Sequence, residues 1–173
     1  MIDLETPRLS LRPLTASDFA SVHRLHTDPF VVHALFGGTT PSRKDTYRRM
    51  QYYLRDWRCH GFGFFSVFLK SDISSQDEFI GRAGLRYFEA TTNVEYGHCF
   101  FGHAAGEGLG PEAGKAVLRF AFQRLELDRI VAVVRPENGR GIRAVEKIGF
   151  RYVEDRVYGD CTKGFYEIHA SSF

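Results

Sequence analysis

The sequence predicts an α/β protein whose mixed β-sheet contains one βαβ crossover. Residues 94–101 form a strand candidate, and a glycine-rich turn follows them. Apolar residues then recur at helical spacing over 113–121, which predicts a helix. Residues 129–134, RIVAVV, form an apolar run that is too short for a helix and is typical of a buried strand. Because a helix connects the two strands, we expect them to lie parallel in the sheet.

Before the crossover, the sequence predicts an edge strand and two helices. Residues 8–14 alternate apolar and polar side chains ahead of a proline, which is typical of a half-buried edge strand. A helix capped by Thr15 or Ser17 is expected to run to about residue 25. A second helix is expected over about 42–59, and its arginine-rich face is typical of a solvated surface.

Four more strands and one more helix complete the predicted pattern. The strands are residues 62–70, 78–88, 152–157 and 162–170. A polar loop at 71–77 joins the first two of them as a hairpin. The helix follows Asn138, carries apolar residues at helical spacing and ends at Gly149.

Length, charge and cysteine content restrict the class of protein. The 173 residues are 43% hydrophobic, which suits one globular domain over residues 1–173. The net charge of +2 is too small to indicate nucleic-acid binding. Cys59, Cys99 and Cys161 are widely spaced and odd in number, so we expect neither a disulfide framework nor a metal site. With no signal core and no membrane-length apolar run, we expect a cytoplasmic protein that binds no membrane.

The glycine-rich turn precedes a helix that has Pro111 in its first turn. The first N–H groups of a helix lack intrahelical partners and carry partial positive charge, so this end can hold a phosphate. A tight connector without a ligand is an equally good interpretation of a glycine cluster alone. The spacing excludes a P-loop, because Gly114-Lys115 is followed by Ala116. It also excludes a dinucleotide fingerprint, whose third glycine would fall at Pro111.

The turn resembles the cofactor motif of the GNAT superfamily of N-acetyltransferases. That motif reads Gln/Arg-x-x-Gly-x-Gly/Ala, and its matching residues here are His103, Gly106 and Gly108. Three more stretches are similar to the RimJ/RimL-type branch, which acetylates the N-termini of ribosomal proteins. They are TPRLSLRPL from Thr6, the Ile-Gly-x-x-Gly-Leu strand at residues 80–85, and NGRGIRAVEKIGF from Asn138.

The resemblance implies a fold and a reaction. The fold would be a mostly antiparallel twisted sheet of about seven strands, with two central parallel strands splayed around the cofactor and about four flanking helices. The reaction would move an acetyl group from acetyl-coenzyme A (acetyl-CoA) to a primary amine by direct attack in a ternary complex. The acceptor would be a protein N-terminus or a small molecule, and the protein would be a monomer or homodimer.

The resemblance also implies a set of cofactor-binding residues around the turn and the following helix. They are Phe100, Phe101, His103, Gly106, Glu107, Gly108, Leu109, Gly110, Asn138 and Arg143. Asn138 would contact the pantetheine arm or cap its helix, and both roles are compatible. Two residues depart from the motif: His103 replaces Gln/Arg, and Glu107 places a carboxylate where a cation is common.

Acyl transfer to an amine requires removal of a proton from the amine and protonation or stabilisation of the leaving thiolate. Deprotonation at pH 7 costs roughly 1 kcal/mol for an α-amine and roughly 4–5 for a lysine. Glu95 matches a strand glutamate that parts of the superfamily use as a base and is the first candidate, although a surface carboxylate is an equally good interpretation. His98, of opposite parity on the same strand, is the second, although a lone strand histidine is more often packed than catalytic. Relatives supply a hydroxyl from the last helix, where this chain has Gly141 and Val145. Tyr152 is the nearest hydroxyl in sequence, and a role in packing explains it equally well.

Two other functions stay open at this point. A non-catalytic CoA-binding or sensor module would retain the turn without the missing hydroxyl groups. A nucleic-acid-binding domain would use the arginine-rich helix, although the small net charge argues against it. Cys99 fits a small core residue better than a nucleophile. The loops expected at 30–40 and 158–164 carry no readable acceptor motif, and Phe36, Tyr47, Trp57, Tyr87 and Phe88 would line an acceptor cleft or belong to the core.

Overall fold

The computed structural model describes residues 2–71, 77–88, 91–159 and 161–173. Its strands are β1 (Leu4–Glu5), β2 (Leu9–Pro13), β3 (Phe64–Leu69), β4 (Glu78–Tyr87), β5 (Val94–Phe100), β6 (Arg129–Val134), β7 (Arg151–Tyr158) and β8 (Cys161–His169). Its α-helices are α1 (Phe19–Thr27), α2 (Pro29–Phe36), α3 (Arg43–His60), α4 (Leu109–Gln123) and α5 (Gly139–Ile148). Residues 72–76 of the predicted loop at 71–77 and residue 160 of the predicted loop at 158–164 lie outside the described residues.

The eight described strands form one sheet in the order β1-β2-β3-β4-β5-β6-β8-β7. Neighbouring strands are antiparallel except for β5 and β6, which confirms the predicted parallel pair. These two strands share a single registered pair, Glu95 opposite Val131, and residues 95–98 of β5 and 132–134 of β6 line a common cavity. The sheet is therefore open at its centre, next to the N-terminal end of α4.

Two hydrophobic clusters cover the two faces of the sheet. The larger one includes Ala113, Val117 and Ala121 of α4, all with no exposed surface, which confirms the predicted helical face. The smaller one contains Val22 of α1 and Met50 of α3, together with residues of α2 and the sheet. Helices α4 and α5 thus lie on one face, and α1 to α3 lie on the other.

Two expectations from the sequence require correction. Residues 8–14 were expected to form an edge strand, but β1 pairs outside β2. The loop expected at 30–40 begins as helix α2. Asp28 accepts hydrogen bonds from the N–H groups of Phe30 and Val31, Pro29 occupies the first turn, and Gly37 ends the helix in the left-handed conformation. Strand β1 and helix α2 were not predicted, so the described part has eight strands and five α-helices where about seven and about four were expected.

No helix in the described residues combines the length and the apolar character needed to cross a membrane. The longest is α3, whose 18 residues include five arginines and one lysine.

Candidate active site

The opening between β5 and β6 forms a cleft with two chambers. The arginine chamber, about 350 Å³, is lined by residues that include Arg49, Arg82 and Arg86. The glycine chamber, about 330 Å³, is lined by residues that include Gly106, Gly108 and Gly110. Both are lined by Ala34, Leu35, His98, Asn138 and Gly141. These shared residues join the two chambers into one cleft.

The glycine chamber contains the N-terminal end of α4. Gly108 is the N-cap residue with φ of +77°, and Gly106 has φ of +100°, both in the left-handed region that favours glycine. No side chain of the described residues caps α4, so its first N–H groups remain available to a ligand. The end of this 15-residue helix therefore offers donors and positive potential to an anion.

Helix α5 adds positive charge to the glycine chamber. Arg140, Arg143 and Lys147 lie at positions i, i+3 and i+7 of one helical face, and all three line the chamber. Three cations next to uncapped N–H groups suit a ligand with several phosphate charges. The described residues of this chamber therefore fit the pyrophosphate and the third phosphate of coenzyme A.

The start of α4 is fixed by contacts with the N-terminal strands. Glu112 Oε1 accepts a hydrogen bond from Thr6 Oγ1 at 2.6 Å, and Glu112 Oε2 accepts one from Arg8 Nε at 2.7 Å. Arg8 also donates to the carbonyl of Glu107 at 3.0 Å. Burial raises the pKa of Glu112, but the hydrogen bonds from Thr6 and Arg8 outweigh it and hold the pKa below its usual value. These contacts hold the glycine turn on the edge of the sheet.

The two candidate bases lie on β5 and face opposite sides of the sheet, as their parity predicts. Glu95 is 5% exposed, lines the arginine chamber and accepts a 2.6 Å hydrogen bond from Arg86 Nε. His98 lies where the chambers meet. Burial, assisted by the charge of Arg82, lowers the pKa of His98 to about 4. Its imidazole is therefore neutral at pH 7.

Asn138 lies at the same junction and caps α5. Its Oδ1 accepts a hydrogen bond from the N–H of Gly141 at 2.9 Å, so the predicted cap is present. A Cβ atom on residue 141 would lie 2.5 Å from Asn138 Nδ2, so the Asn138 side chain in this position requires glycine there. Val145 is buried and lines the arginine chamber. No hydroxyl group is present at either position where relatives place one.

The structure places the predicted site residues in three groups. Phe100, Gly106, Gly108, Gly110, Asn138 and Arg143 line the glycine chamber. Glu95 and His98 lie as described above. Phe101, His103, Glu107, Leu109 and Tyr152 line neither chamber.

The five residues outside the chambers have other surroundings. Phe101 and Leu109 are buried in the two cores. His103 Nε2 lies 3.1 Å from Glu78 Oε1, and Glu107 is exposed, so its carboxylate does not enter the chamber. Tyr152 is 55% exposed on the outermost strand, β7, with its ring against Tyr166. The structure does not bring its hydroxyl to the cleft.

Sequence reasoning missed several residues that line the cleft. Phe30, Val31, Ala34 and Leu35 of α2 line it because their segment is helical. Arg140 and Lys147 could have been found from their spacing with Arg143 on α5. Two tyrosines, Tyr53 and Tyr96, line the arginine chamber, as do Phe36 and Phe88 among the aromatic residues proposed for an acceptor cleft. Tyr47, Trp57 and Tyr87 do not.

Comparison with known proteins identifies a family match and several relatives. The model described as "Acetyltransferase (GNAT) domain" matches residues 8–151. The "Uncharacterized N-acetyltransferase p20" of Bacillus licheniformis is 28% identical over 154 residues, which cover 87% of this chain and 83% of that protein. The crystal structure of an acetyltransferase from Agrobacterium tumefaciens str. C58 is similar with a TM-score of 0.83 and 25% identity, covering 98% of this chain and 95% of that chain.

A third similar protein was crystallised with a ligand. It is the aminoglycoside acetyltransferase AAC(6')-Ib in complex with coenzyme A, with a TM-score of 0.77 and 20% identity. The match covers 95% of this chain and 96% of that one. At this identity the likeness concerns the fold.

Proposed function

Because this chain belongs to the GNAT acetyltransferase family, we propose that it transfers an acetyl group from acetyl-CoA to a primary amine. The observation that carries the proposal is the two-chambered cleft between β5 and β6. One chamber offers helix N–H groups and three cations to a phosphorylated cofactor, and the other is large enough for an amine acceptor. The chambers meet at His98 and Asn138, so both substrates fit side by side.

The glycine chamber is the proposed cofactor site. The N-terminal end of α4 would hold the pyrophosphate, and Arg140, Arg143 and Lys147 would neutralise the phosphate charges. Acetyl-CoA, when bound, supplies an acetyl group activated as a thioester. The complex of AAC(6')-Ib with coenzyme A, a protein of the same fold, supports this choice of cofactor.

The chain's own residues would handle the proton of the amine. Glu95 lines the chamber that would receive the acceptor, and we assign it the role of general base. His98 is neutral at pH 7 but weakly basic, since burial disfavours its imidazolium form. It would orient the acceptor by hydrogen bonding and remains the second candidate for the base. The proton donor to the leaving thiolate is left unassigned, because the hydroxyl of Tyr152 lies outside the cleft.

Direct transfer in a ternary complex agrees with the state of Cys99. This thiol is buried, and burial raises its pKa to about 11. It is therefore protonated at neutral pH and unsuited to accept an acetyl group.

The acceptor and the branch of the family belong to the proposal. We place the chain, as one domain over residues 1–173, in the RimJ/RimL-type branch on its three motif stretches. The acceptor would be a protein N-terminal α-amine or a small amine. An α-amine has a lower pKa than a lysine, so its deprotonation at pH 7 costs less free energy. The protein would act as a monomer or homodimer.

Amine-dependent release of free coenzyme A tests the proposed function. The purified chain is mixed with acetyl-CoA and a panel of amines, released thiol is quantified, and mass spectrometry detects the acetylated amine. Exposed Cys59 reacts with thiol reagents, so a sample without amine gives the background. We expect thiol and acetylated amine in equal amounts. Binding of acetyl-CoA without release of thiol for any amine would indicate the non-catalytic module instead.

A further inference from the structure

The arginine chamber carries a large excess of positive charge. Five cationic side chains line it: Arg49, Arg82, Arg86, Arg135 and Lys163. The acidic side chain among its described lining residues is Glu95, which is paired with Arg86. Five cations and one carboxylate leave an excess of four positive charges around a cavity of about 350 Å³. Such a chamber attracts anions and repels polycations.

Arg82 is the most buried of these cations. Its side chain is 8% exposed, and its Nε atom is buried without a hydrogen-bond partner among the described residues. The guanidinium lies over the ring of Phe64, 4.2 Å from the centroid, and 5.0 Å from that of Tyr53. Aromatic rings hold the group in place but compensate only part of the cost of burying a charge. No salt bridge joins Arg82 to a carboxylate in the described part of the chain.

The strand register places Arg82 and Glu95 on the same face of the sheet, and both line the arginine chamber. On β4 and β5, Arg82 lies opposite Cys99 and Arg86 lies opposite Glu95. The pair midway between them is Gly84 opposite Gly97, which carries no side chains. Neither β4 nor β5 therefore places a side chain between the guanidinium and the carboxylate, and the ring of Phe64 from β3 covers this position, 3.6 Å from where a Cβ on Gly97 would lie. Because Arg82, Phe64 and Glu95 line the same chamber, an elongated molecule that passes over the Phe64 ring can contact both charged groups, with its ends separated by about 13 Å or less along the strand.

We propose that the acceptor amine carries an anionic group, a carboxylate or a phosphate, and that Arg82 binds this group. The inference rests on the proposed function, because it assigns the arginine chamber to the acceptor. The amine would lie toward Glu95 and the anion toward Arg82. Arg135 and Lys163 at the rim add attraction for the anion. Acceptors with several positive charges, such as polyamines, would be poor substrates.

Acceptors paired by the presence or absence of an anionic group test the proposal. One set contains small molecules: β-alanine with β-alaninamide, and phosphoethanolamine with ethanolamine. The other set contains tripeptides that are identical except for an N-terminal glutamate, glutamine or lysine. Comparing the sets distinguishes a free acid from an acidic protein N-terminus. We expect kcat/KM to be at least about tenfold higher for the anionic member of each comparison and lowest for lysine.

The Arg82→Gln variant connects this preference to the proposed residue. We expect it to raise KM for the anionic acceptor about tenfold and to leave the uncharged counterpart within about twofold, with kcat little changed. Arg82→Lys restores part of the preference because it restores the charge. Arg119→Gln, on an exposed part of α4, is the matched control and leaves both acceptors unaffected. If Arg82→Gln does not fold, Lys163→Gln at the rim is expected to reduce the preference about threefold.

The outcomes distinguish this proposal from the proposed function. Equal or faster turnover of the uncharged or lysine-containing acceptors would overturn the anionic acceptor while leaving the acetyltransferase intact. If no amine is acetylated, thermal unfolding with saturating coenzyme A tests the anion site by itself. Glutamate should then raise the midpoint of the wild type more than glutamine does, and Arg82→Gln should remove the difference. Equal midpoints for the two amino acids would overturn the proposal.

Discussion

Glu95 and His98 differ in the side of β5 that they occupy and in the chambers that they line, and this difference can be tested at the scale of single residues. We predict that Glu95→Gln lowers kcat/KM at pH 7 by about 100-fold, since an amide cannot accept the proton. His98→Gln should have a smaller effect, below about tenfold, because the wild-type imidazole is already a weak base. Steady-state kinetics between pH 7 and 9 measure both effects.

The pH dependence separates loss of a base from a disturbed structure. As pH approaches the pKa of the amine, more of the substrate arrives neutral, so the defect of Glu95→Gln should shrink. Glu154→Gln is the matched control, because Glu154 also accepts a 2.6 Å bond from an arginine Nε but lies on β7. A defect of the same size at every pH would refute the role of Glu95 as base.

His26 is a second buried imidazole and makes folding sensitive to acid. It is fully buried, its ring nitrogens have no hydrogen-bond partner in the described residues, and it packs on Phe36. Burial, together with the charges of Arg82, Arg49 and His23, lowers its pKa to about 3. Below pH 6.5 His26 is therefore protonated in the unfolded chain but stays neutral in the folded chain. The free energy of unfolding is highest above pH 6.5 and decreases as pH falls below it.

We predict that His26→Phe reduces this acid sensitivity. At pH 5, 1.5 units below the unfolded pKa, His26 should cost about 2 kcal/mol of unfolding free energy relative to pH 7.5. The variant should lose about that much less between the two pH values in urea unfolding. His169→Phe, at an exposed position, should behave like the wild type. An unchanged pH dependence in His26→Phe would mean that His26 is protonated in the folded protein.

Some residues of the candidate site could be predicted from the sequence, and others could not. Gly106, Gly108 and Asn138 were predicted from their match to the family's motifs, and the structure gives each a local reason: a left-handed turn, an uncapped helix end and a helix cap. Arg82 was not predicted, since its importance comes from the pairing of β4 with β5 and from burial under α3. Pairing between distant segments determines such positions, and no spacing within the sequence encodes it.

At the scale of elements, the N-terminal end of α4 is the feature on which the proposed cofactor binding depends. We predict that Gly108→Leu abolishes the thermal stabilisation that acetyl-CoA gives the wild type. The side chain strains the backbone at φ of +77° in the residue that starts α4 and lines the glycine chamber, so it disturbs the N–H groups that would hold the pyrophosphate. For the wild type, ligand at ~100 times its dissociation constant should contribute about 2.7 kcal/mol.

Gly61→Leu separates these two effects. Gly61 ends α3 with φ of +72°, so the substitution causes similar strain outside both chambers. Its midpoint without ligand should fall about as much as that of Gly108→Leu, while its response to acetyl-CoA should persist. Equal responses in the two variants would place the cofactor elsewhere.

The contact between the first strands and α4 is a second property of elements. Glu112 is partly buried and accepts hydrogen bonds from Thr6 and Arg8. We predict that Glu112→Gln lowers the free energy of unfolding by about 1–3 kcal/mol at pH 7. Because the folded pKa lies below the usual value, this difference should be full above about pH 4.5 and shrink as pH falls further.

Urea unfolding of both proteins from pH 7 to pH 4 measures this difference. Glu146→Gln, at an exposed position on α5, provides the comparison and should change stability by less than about 0.5 kcal/mol. A loss in Glu112→Gln that persists unchanged at the lowest pH would show that packing, rather than charge, holds the strands to α4.

At the scale of the whole molecule, the order of elements was largely predictable and the division of the cleft was not. The parallel pair β5 and β6, the crossover helix and the capped α5 follow from periodicity, length and cap residues. Helix α2 was missed although Asp28, Pro29 and Gly37 carry ordinary start and stop signals, because its short apolar run lacks clear periodicity. Since α2 lines both chambers, the missed helix also concealed the shape of the site.

In the proposed reaction, both substrates are bound together in the joined chambers when the acetyl group moves. Initial rates measured over a grid of acetyl-CoA and acceptor concentrations test this most directly, using the best amine of the panel. We predict reciprocal plots that intersect, as expected for a ternary complex, and no acetylated protein when acetyl-CoA is added alone. Parallel plots, together with an acetyl group on Cys99 or another residue, would contradict direct transfer across the cleft.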